Sequence, residues 1–177
     1  MFGGMPVAGW LLVVAAGLAA PAEPLVVNVA RERDALEVRV ELIAPLPDAL
    51  QAALPTGAQV RVAFPVRLRV HRSFFWDRRM WHGEITSSVA FDPVVGRYRC
   101  ELVLDRVIVA TRETPSPTEA LAWLRSPPPV RLDLPAGRRT ADLLVRVRAV
   151  YASATRWLMF PSVEGTDWVE VRLESGP

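Results

Sequence analysis

The chain has 177 residues, of which 51% are hydrophobic and 23% charged, a profile typical of a globular protein. Its 21 basic residues are all arginine and nearly balance 19 acidic residues, so the net charge is only +2. Because the two signs are interspersed, nucleic acid is a poor candidate partner. Codon bias in a high-GC genome explains the use of arginine without lysine more simply than selection for phosphate binding does.

Residues 1–22 contain no charged side chain, and their apolar run VAGWLLVVAAGLAA is followed by APA before Glu23. This pattern predicts a secretory signal peptide, and hence a periplasmic or otherwise extracytoplasmic protein. The alternative is an uncleaved anchor, because the uncharged stretch is almost long enough to span a bilayer. The remaining residues, 23–177, have a suitable length for one domain with one core.

Alternation of apolar and charged residues predicts short strands along the rest of the chain. They cover residues 25–32, 36–42, 60–70, 84–91, 97–104, 107–111, 143–151 and 168–173. The first two should form a hairpin, as should 84–91 and 97–104 across DPVVG. Pro65 interrupts the polar face of the strand 60–70, so we expect an edge position or a bulge there.

Two short helices are predicted between strands. Leu46, Leu50 and Leu54 fall four residues apart between two prolines. Ser116 and Glu119 have the spacing of a capping box, with proline at the first helical position. The spacing of the strands predicts an all-β fold: a single-domain, mostly antiparallel β-sandwich, Ig-like or similar, with the two helices closing its open ends. A closed barrel is the alternative.

The stretch RSFFWDRRMW concentrates aromatic residues and arginines as interaction hot spots do. The residues predicted to bind a partner are Arg72, Phe75, Trp76, Asp77, Arg78, Arg79 and Trp81. The alternative is a corner between strands that buries its aromatics. If the alternation of 60–70 continues without a bulge, Phe74 and Trp76 face the core while Phe75, Asp77 and Arg79 face outward.

Catalytic and metal-binding motifs are missing from the sequence. It has two histidines, His71 and His82, and one cysteine, in no metal-ligand spacing, so we expect no metal site. Cys100 lies between apolar Tyr98 and Leu102, which predicts a buried thiol. Without a GxSxG elbow or a Gly-rich phosphate loop, we expect no cofactor and no catalytic residue, and an enzyme is the minority interpretation.

Several of these segments together resemble a known family. They are the Arg72–Arg79 cluster, Tyr98 after Gly96, the helix TEALAWL and the strand LLVRVRAVY. They are similar to the bacterial domain of unknown function 4390, over most of the chain after residue 22. The resemblance implies an exported envelope protein of unassigned activity, often encoded beside a membrane sensor histidine kinase, and supplies no catalytic residues.

The sequence therefore leads to two functional hypotheses. The first is a non-enzymatic interaction module that binds a membrane or periplasmic protein, such as a sensor kinase, through residues 72–81. The second is a carbohydrate- or anionic-lipid-binding module of the envelope. In that case Trp76 and Trp81 stack on sugar rings, or rows of arginines meet anionic head groups. Those rows contain Arg67, Arg69, Arg146 and Arg148.

Overall fold

A computed structural model describes residues 23–32, 34–70, 78–134, 143–151 and 164–173, with residues 78–80 described by their backbone only. The strands in these ranges are β1 (Leu25–Glu32), β2 (Ala35–Leu42), β3 (Val60–Val70), β4 (Arg78–Asp92), β5 (Arg97–Leu104), β6 (Val107–Thr114), β7 (Val130–Asp133), β8 (Leu143–Val147), β9 (Val150–Tyr151), β10 (Glu164–Gly165) and β11 (Val169–Leu173). The helices are α1 (Asp48–Ala53) and α2 (Pro117–Arg125), and a 3-10 turn spans Leu54–Thr56.

The strands form two sheets in which every described pairing is antiparallel. The smaller sheet has the order β1-β2-β7. The larger has the order β10-β9-β3-β4-β5-β6, and β8 also pairs with β3 and carries β11 on its far side. This confirms the predicted antiparallel sandwich. The barrel alternative does not describe the fold, because the strands divide between two sheets instead of closing one.

The alternation in β3 determines which side chains enter the core. Val60, Val62, Phe64, Val66, Leu68 and Val70 are all buried, and the residues between them are more exposed. The core also takes Leu25 and Val38 from the smaller sheet and Ile85 and Leu102 from the larger one. Each such side chain contributes about 1.5–3 kcal/mol through burial, so the predicted strand faces are also the faces that stabilise the fold.

Pro65 does not lie at a sheet edge, because β3 has neighbours on both sides. Instead, the pairing on one side of β3 is interrupted opposite Pro65, between β8 and β9. Val66 pairs with Val147 at the end of β8, and Ala63 pairs with Val150 at the start of β9. Pro65 therefore stands opposite a break between two short strands, where a missing backbone N–H costs least. This break also divides the strand predicted at 143–151 into two.

Helix α1 confirms the first predicted helix. Leu46, Leu50 and Leu54 are buried in the core, as their spacing of four predicts. After the 3-10 turn, Gly57 adopts φ +81°, a left-handed conformation that glycine accepts without strain. The chain can then turn directly into β3.

Helix α2 connects the two sheets. Its N-cap Ser116 accepts a hydrogen bond from the backbone N–H of Glu119, as the capping-box spacing predicts. On one side, the hydroxyl of Ser87 in β4 donates to the carbonyl of Trp123 at 3.0 Å. On the other side, the Arg125 guanidinium group donates to the carbonyls of Leu42 and Ile43, at the end of β2. The helix thus fixes the spacing of the sheets at one end of the sandwich.

Strand β4 begins earlier than the alternation predicts. It starts at Arg78 rather than at position 84, so the last four residues of RSFFWDRRMW belong to a strand that pairs with β3. The register shifts between Leu68 and Arg69, where β4 carries an extra residue opposite β3. In the parts of the chain that the structure describes, neither helix has the length and apolar character needed to cross a membrane.

Cys100 lies in the core, fully buried, on the same face of β5 as Tyr98 and Leu102. Burial raises the pKa of its thiol above the ordinary value of 9.0, and Arg112 offsets part of that rise. The folded protein therefore favours the neutral thiol, which is the poorer nucleophile.

We predict that Cys100 resists alkylation in the native protein. A stability of about 5 kcal/mol exposes the thiol in fewer than about one molecule in a thousand. Labelling by iodoacetamide, followed by intact-mass spectrometry, should be at least about 100-fold slower in buffer than in denaturant. Comparable rates in the two conditions would contradict the buried assignment.

The raised pKa of Cys100 in the folded protein also predicts a pH dependence. The free energy of unfolding should fall as the pH rises above about 9, because the unfolded chain then ionises this thiol while the folded chain keeps it neutral.

Candidate functional site: an arginine platform

The stretch predicted to bind a partner lies mostly outside the described residues. This applies to Arg72, Phe75, Trp76 and Asp77, and to the neighbouring His71 and Phe74. Arg78 and Arg79 are described only as backbone at the start of β4, where position 79 pairs with Arg69. The proposed role of these residues stays a prediction.

Trp81 is the one member of that stretch with a described side chain. It pairs with Leu68, packs against the core and is partly buried. Its ring covers Gly83, two residues along the same face of β4, where a Cβ would collide with the indole and with the Asp105 carboxylate. Trp81 therefore lies on the core-facing side of the larger sheet, and its neighbour His82 is exposed on the other side.

The outer face of the larger sheet, opposite the core, carries a cluster built from three strands. We call it the arginine platform and define it as Arg67, Arg69, Arg146, Arg148 and Trp168. The arginines come from β3 and from β8 and its continuation, and Trp168 immediately precedes β11. They face outward because the residues between them, such as Val66, Leu68, Val145 and Val147, occupy the core.

Trp168 is the centre of this platform. The guanidinium carbons of Arg67, Arg148 and Arg146 lie 4.3, 5.0 and 5.7 Å from the centre of its ring. All three distances are within the range of cation–π attraction, which contributes about 0.5–1 kcal/mol at an exposed site. One partly buried indole thus holds three positive charges together.

The charges of the platform are not balanced. Arg67 and Arg146 are direct cross-strand partners, an arrangement in which like charges repel. Within the described residues, the platform has an ion pair between Arg146 Nε and Glu170 Oε2, at 3.3 Å. Within the described chain, Arg67, Arg69 and Arg148 have no ion pair. Among the described residues, the platform therefore has four guanidinium groups and one ion pair, between Arg146 and Glu170.

Two donors of the platform also lack a hydrogen-bond acceptor. The Nε atoms of Arg146 and Arg148 are buried and make no hydrogen bond within the described chain. Glu170 is close enough to Arg146 for an ion pair, but the N–H is not aligned with the carboxylate oxygen. A buried donor without an acceptor costs about 1–3 kcal/mol, so stability alone does not explain this arrangement.

An apolar residue lies among these arginines. Leu144 is only 5% exposed, although it is on the outer face and outside the core cluster. In the register it stands between Arg69 on β3 and Arg172 on β11. The platform therefore combines an aromatic ring and an aliphatic side chain with surplus positive charge.

A shallow polar depression of about 510 Å³ lies next to the platform on the outer faces of β3, β4 and β5. Its charged lining is mixed: Arg61 and Arg106 alternate with Glu84, Glu101 and Asp105. The Asp105 carboxylate accepts the backbone N–H of Glu84 at 2.9 Å, so it also fixes the turn after β5. In the described ranges, no group of three or more His, Cys, Asp or Glu side chains is placed to hold a metal ion.

A family model described as a domain of unknown function, DUF4390, matches residues 22–162, which is most of the chain. The chain belongs to the DUF4390 family. Comparison with the curated proteins and with the solved structures found no match. In this DUF4390 protein the matched region includes Arg67, Arg146 and Arg148 but ends before Trp168.

The sequence identified the arginine rows but missed the residue that joins them. From the sequence, Trp168 is only the first residue of the predicted strand 168–173, with no indication that it contacts the arginines. The available signal was its position directly before the alternating residues 169–173, in which Glu170 faces outward. The pairing of β3 with β8, which lie far apart in the chain, could not be read from alternation.

We predict that the platform is not optimised for stability. Replacing Arg148→Met keeps an unbranched side chain beside Trp168 but removes an unsatisfied donor and a repulsive charge. The free energy of unfolding in urea should therefore stay within about 1 kcal/mol of the parent or rise. The matched control is Arg125→Met, which removes two hydrogen bonds to the end of β2 and should cost about 1–3 kcal/mol. Equal losses in the two variants would contradict this account.

Proposed function

We propose that this protein is an exported, non-enzymatic binding module of the bacterial cell envelope. It holds a protein partner on the outer face of its larger sheet, and the arginine platform binds an acidic segment of that partner. The observation that carries this proposal is the set of three guanidinium groups around Trp168, which have one carboxylate partner among them within the described residues. Export is supported by the uncharged apolar run at residues 1–22.

The chemistry of the platform favours carboxylates. A guanidinium group donates two parallel hydrogen bonds to a carboxylate, and such charge-assisted bonds are about twice as strong as neutral ones. Tryptophan and arginine are also the residues most enriched among the hot spots of protein interfaces. An acidic side chain placed between Arg67 and Arg148 would reduce their repulsion as well as accept their N–H groups.

The surroundings of the platform favour a protein over a membrane. An anionic bilayer presents one sign of charge over a wide area. The outer face presents both signs, because Glu84 and Glu101 line the depression beside the arginines. An anionic bilayer would meet repulsion there, whereas a folded partner can match an acidic patch to the platform and a basic one to the depression.

Photo-crosslinking in living cells tests this proposal. A photoreactive residue in place of His82, which is exposed beside Arg67 in the register, should yield a discrete protein adduct. The same residue in place of Val94, 93% exposed at a hairpin tip, should not yield that adduct. In the double variant Arg67→Glu with Arg148→Glu the adduct should fall by about tenfold or more, because a buried charge contact becomes repulsive.

The control is Arg97→Glu with Arg99→Glu, which makes the same charge change at two exposed sites on β5 and should leave the adduct intact. The peptide captured at position 82 should carry Asp or Glu. An adduct that survives the double variant, or no protein adduct at all, would contradict the proposal. Sedimentation with anionic vesicles, abolished by the same double variant, would assign the platform to lipid head groups instead.

A further inference from the structure

The register of the larger sheet changes directly beside the arginine platform. Val147 pairs with Val169 where β8 meets β11, and Val150 pairs with Gly165 where β9 meets β10. Val150 is three positions after Val147, whereas their two partners are four positions apart. The chain between β10 and β11 therefore contains one extra residue opposite its neighbour, which is the defining feature of a β-bulge.

The extra residue decides which way Trp168 faces. Position 165 is on the outer face, because the residues on either side of its partner Val150 are buried. Side chains alternate along a strand, so in a regular strand position 168 would face the core. With the extra residue, Val169 packs against the core instead, and Trp168 lies on the outer face among the arginines.

Thr166 holds this bulge through its backbone and its hydroxyl. Its N–H donates to the carbonyl of Ala149 at 2.9 Å, and its hydroxyl accepts the N–H of Ala149, also at 2.9 Å. The hydroxyl in turn donates to the carbonyl of Asp167 at 3.1 Å. Ala149 is fully buried, so its N–H needs an acceptor where the regular ladder is interrupted. The Thr166 side chain provides that acceptor.

The two chains also approach each other closely at the start of the bulge. A Cβ at Gly165 would collide with the carbonyl oxygen of Ala149. The same oxygen accepts the N–H of Thr166, so it cannot move aside without losing that hydrogen bond. The bulge is therefore held by a close backbone approach and by one hydroxyl group.

We propose that Thr166 is a positioning residue of the arginine platform. Through the bulge it holds the Trp168 ring where three guanidinium groups gather around it, and the platform captures an acidic segment in that arrangement. Thr166 acts through Trp168 and makes no contact with the partner. The inference rests on the proposed function, because it concerns how that binding surface is assembled. Bulges are frequent beside functional sites, where they redirect a side chain.

Nuclear magnetic resonance of the Arg148 Nε–H group, in the full chain without a ligand, tests the positioning. Thr166→Val keeps the branched shape but removes the hydroxyl, and Thr166→Ser keeps the hydroxyl. The ring current of Trp168 acts on protons near the ring, so the Arg148 signal should shift in Thr166→Val and stay in place in Thr166→Ser. An unchanged signal from Arg125, which is bonded to the end of β2, shows that the variants are folded.

The photo-crosslinked adduct at position 82 tests the consequence for binding. It should fall by about fivefold or more in Thr166→Val, because the hydrogen bond that holds the bulge is lost, and it should return in Thr166→Ser. Thr56→Val is the matched control. It removes a hydroxyl that donates to the carbonyl of Ala53 at the turn before β3, and it should leave both the adduct and the Arg148 signal unchanged.

An Arg148 signal that ignores Thr166→Val would overturn the inference. An adduct that survives Thr166→Val, or that is lost equally in Thr56→Val, would contradict this inference and leave the proposed function in place. A parent that gives no adduct at position 82 would contradict the proposed function, and the inference with it.

Discussion

The strict alternation of β3 between two neighbouring strands is the constraint on which the rest of the structure depends. Because Val60 to Val70 enter the core at every second position, the residues between them have to face away from it. β8 pairs with the same strand, so its own intervening residues, Arg146 among them, are brought beside Arg67. The arginine platform is therefore a consequence of core packing, placed on the one face that the core leaves free.

The platform has a cost that packing does not explain. Arg67 and Arg146 face each other as like charges, and two buried Nε donors make no hydrogen bond within the part of the chain that the structure describes. Local conflicts of this kind are expected where a site is kept for function rather than for stability. Trp168 and Glu170 reduce the conflict without removing it, since a ring attracts the cations and one carboxylate neutralises one of them. An acidic partner would supply the missing charge.

Much of the fold follows from local pattern, and the site does not. The alternation of apolar and charged residues predicted the strands, and the spacing of Leu46, Leu50 and Leu54 predicted the first helix. Both patterns can be read from residues that are close in sequence. The position of Pro65 inside the sheet depended on a break between β8 and β9, which no local pattern encodes. Trp168 likewise reaches Arg67 only through two strand pairings that join distant parts of the chain.

The guanidinium groups of the platform are proposed to bind carboxylates of a partner. Nuclear magnetic resonance of the Nε–H groups, with a glutamate-rich peptide added to the full chain, measures this directly. The Nε–H signals of Arg146 and Arg148 should move when carboxylates bind their guanidinium groups, while that of Arg125, already bonded to the carbonyl of Leu42, should stay in place. Signals that stay in place throughout, or that move no more than that of exposed Arg97, would contradict it.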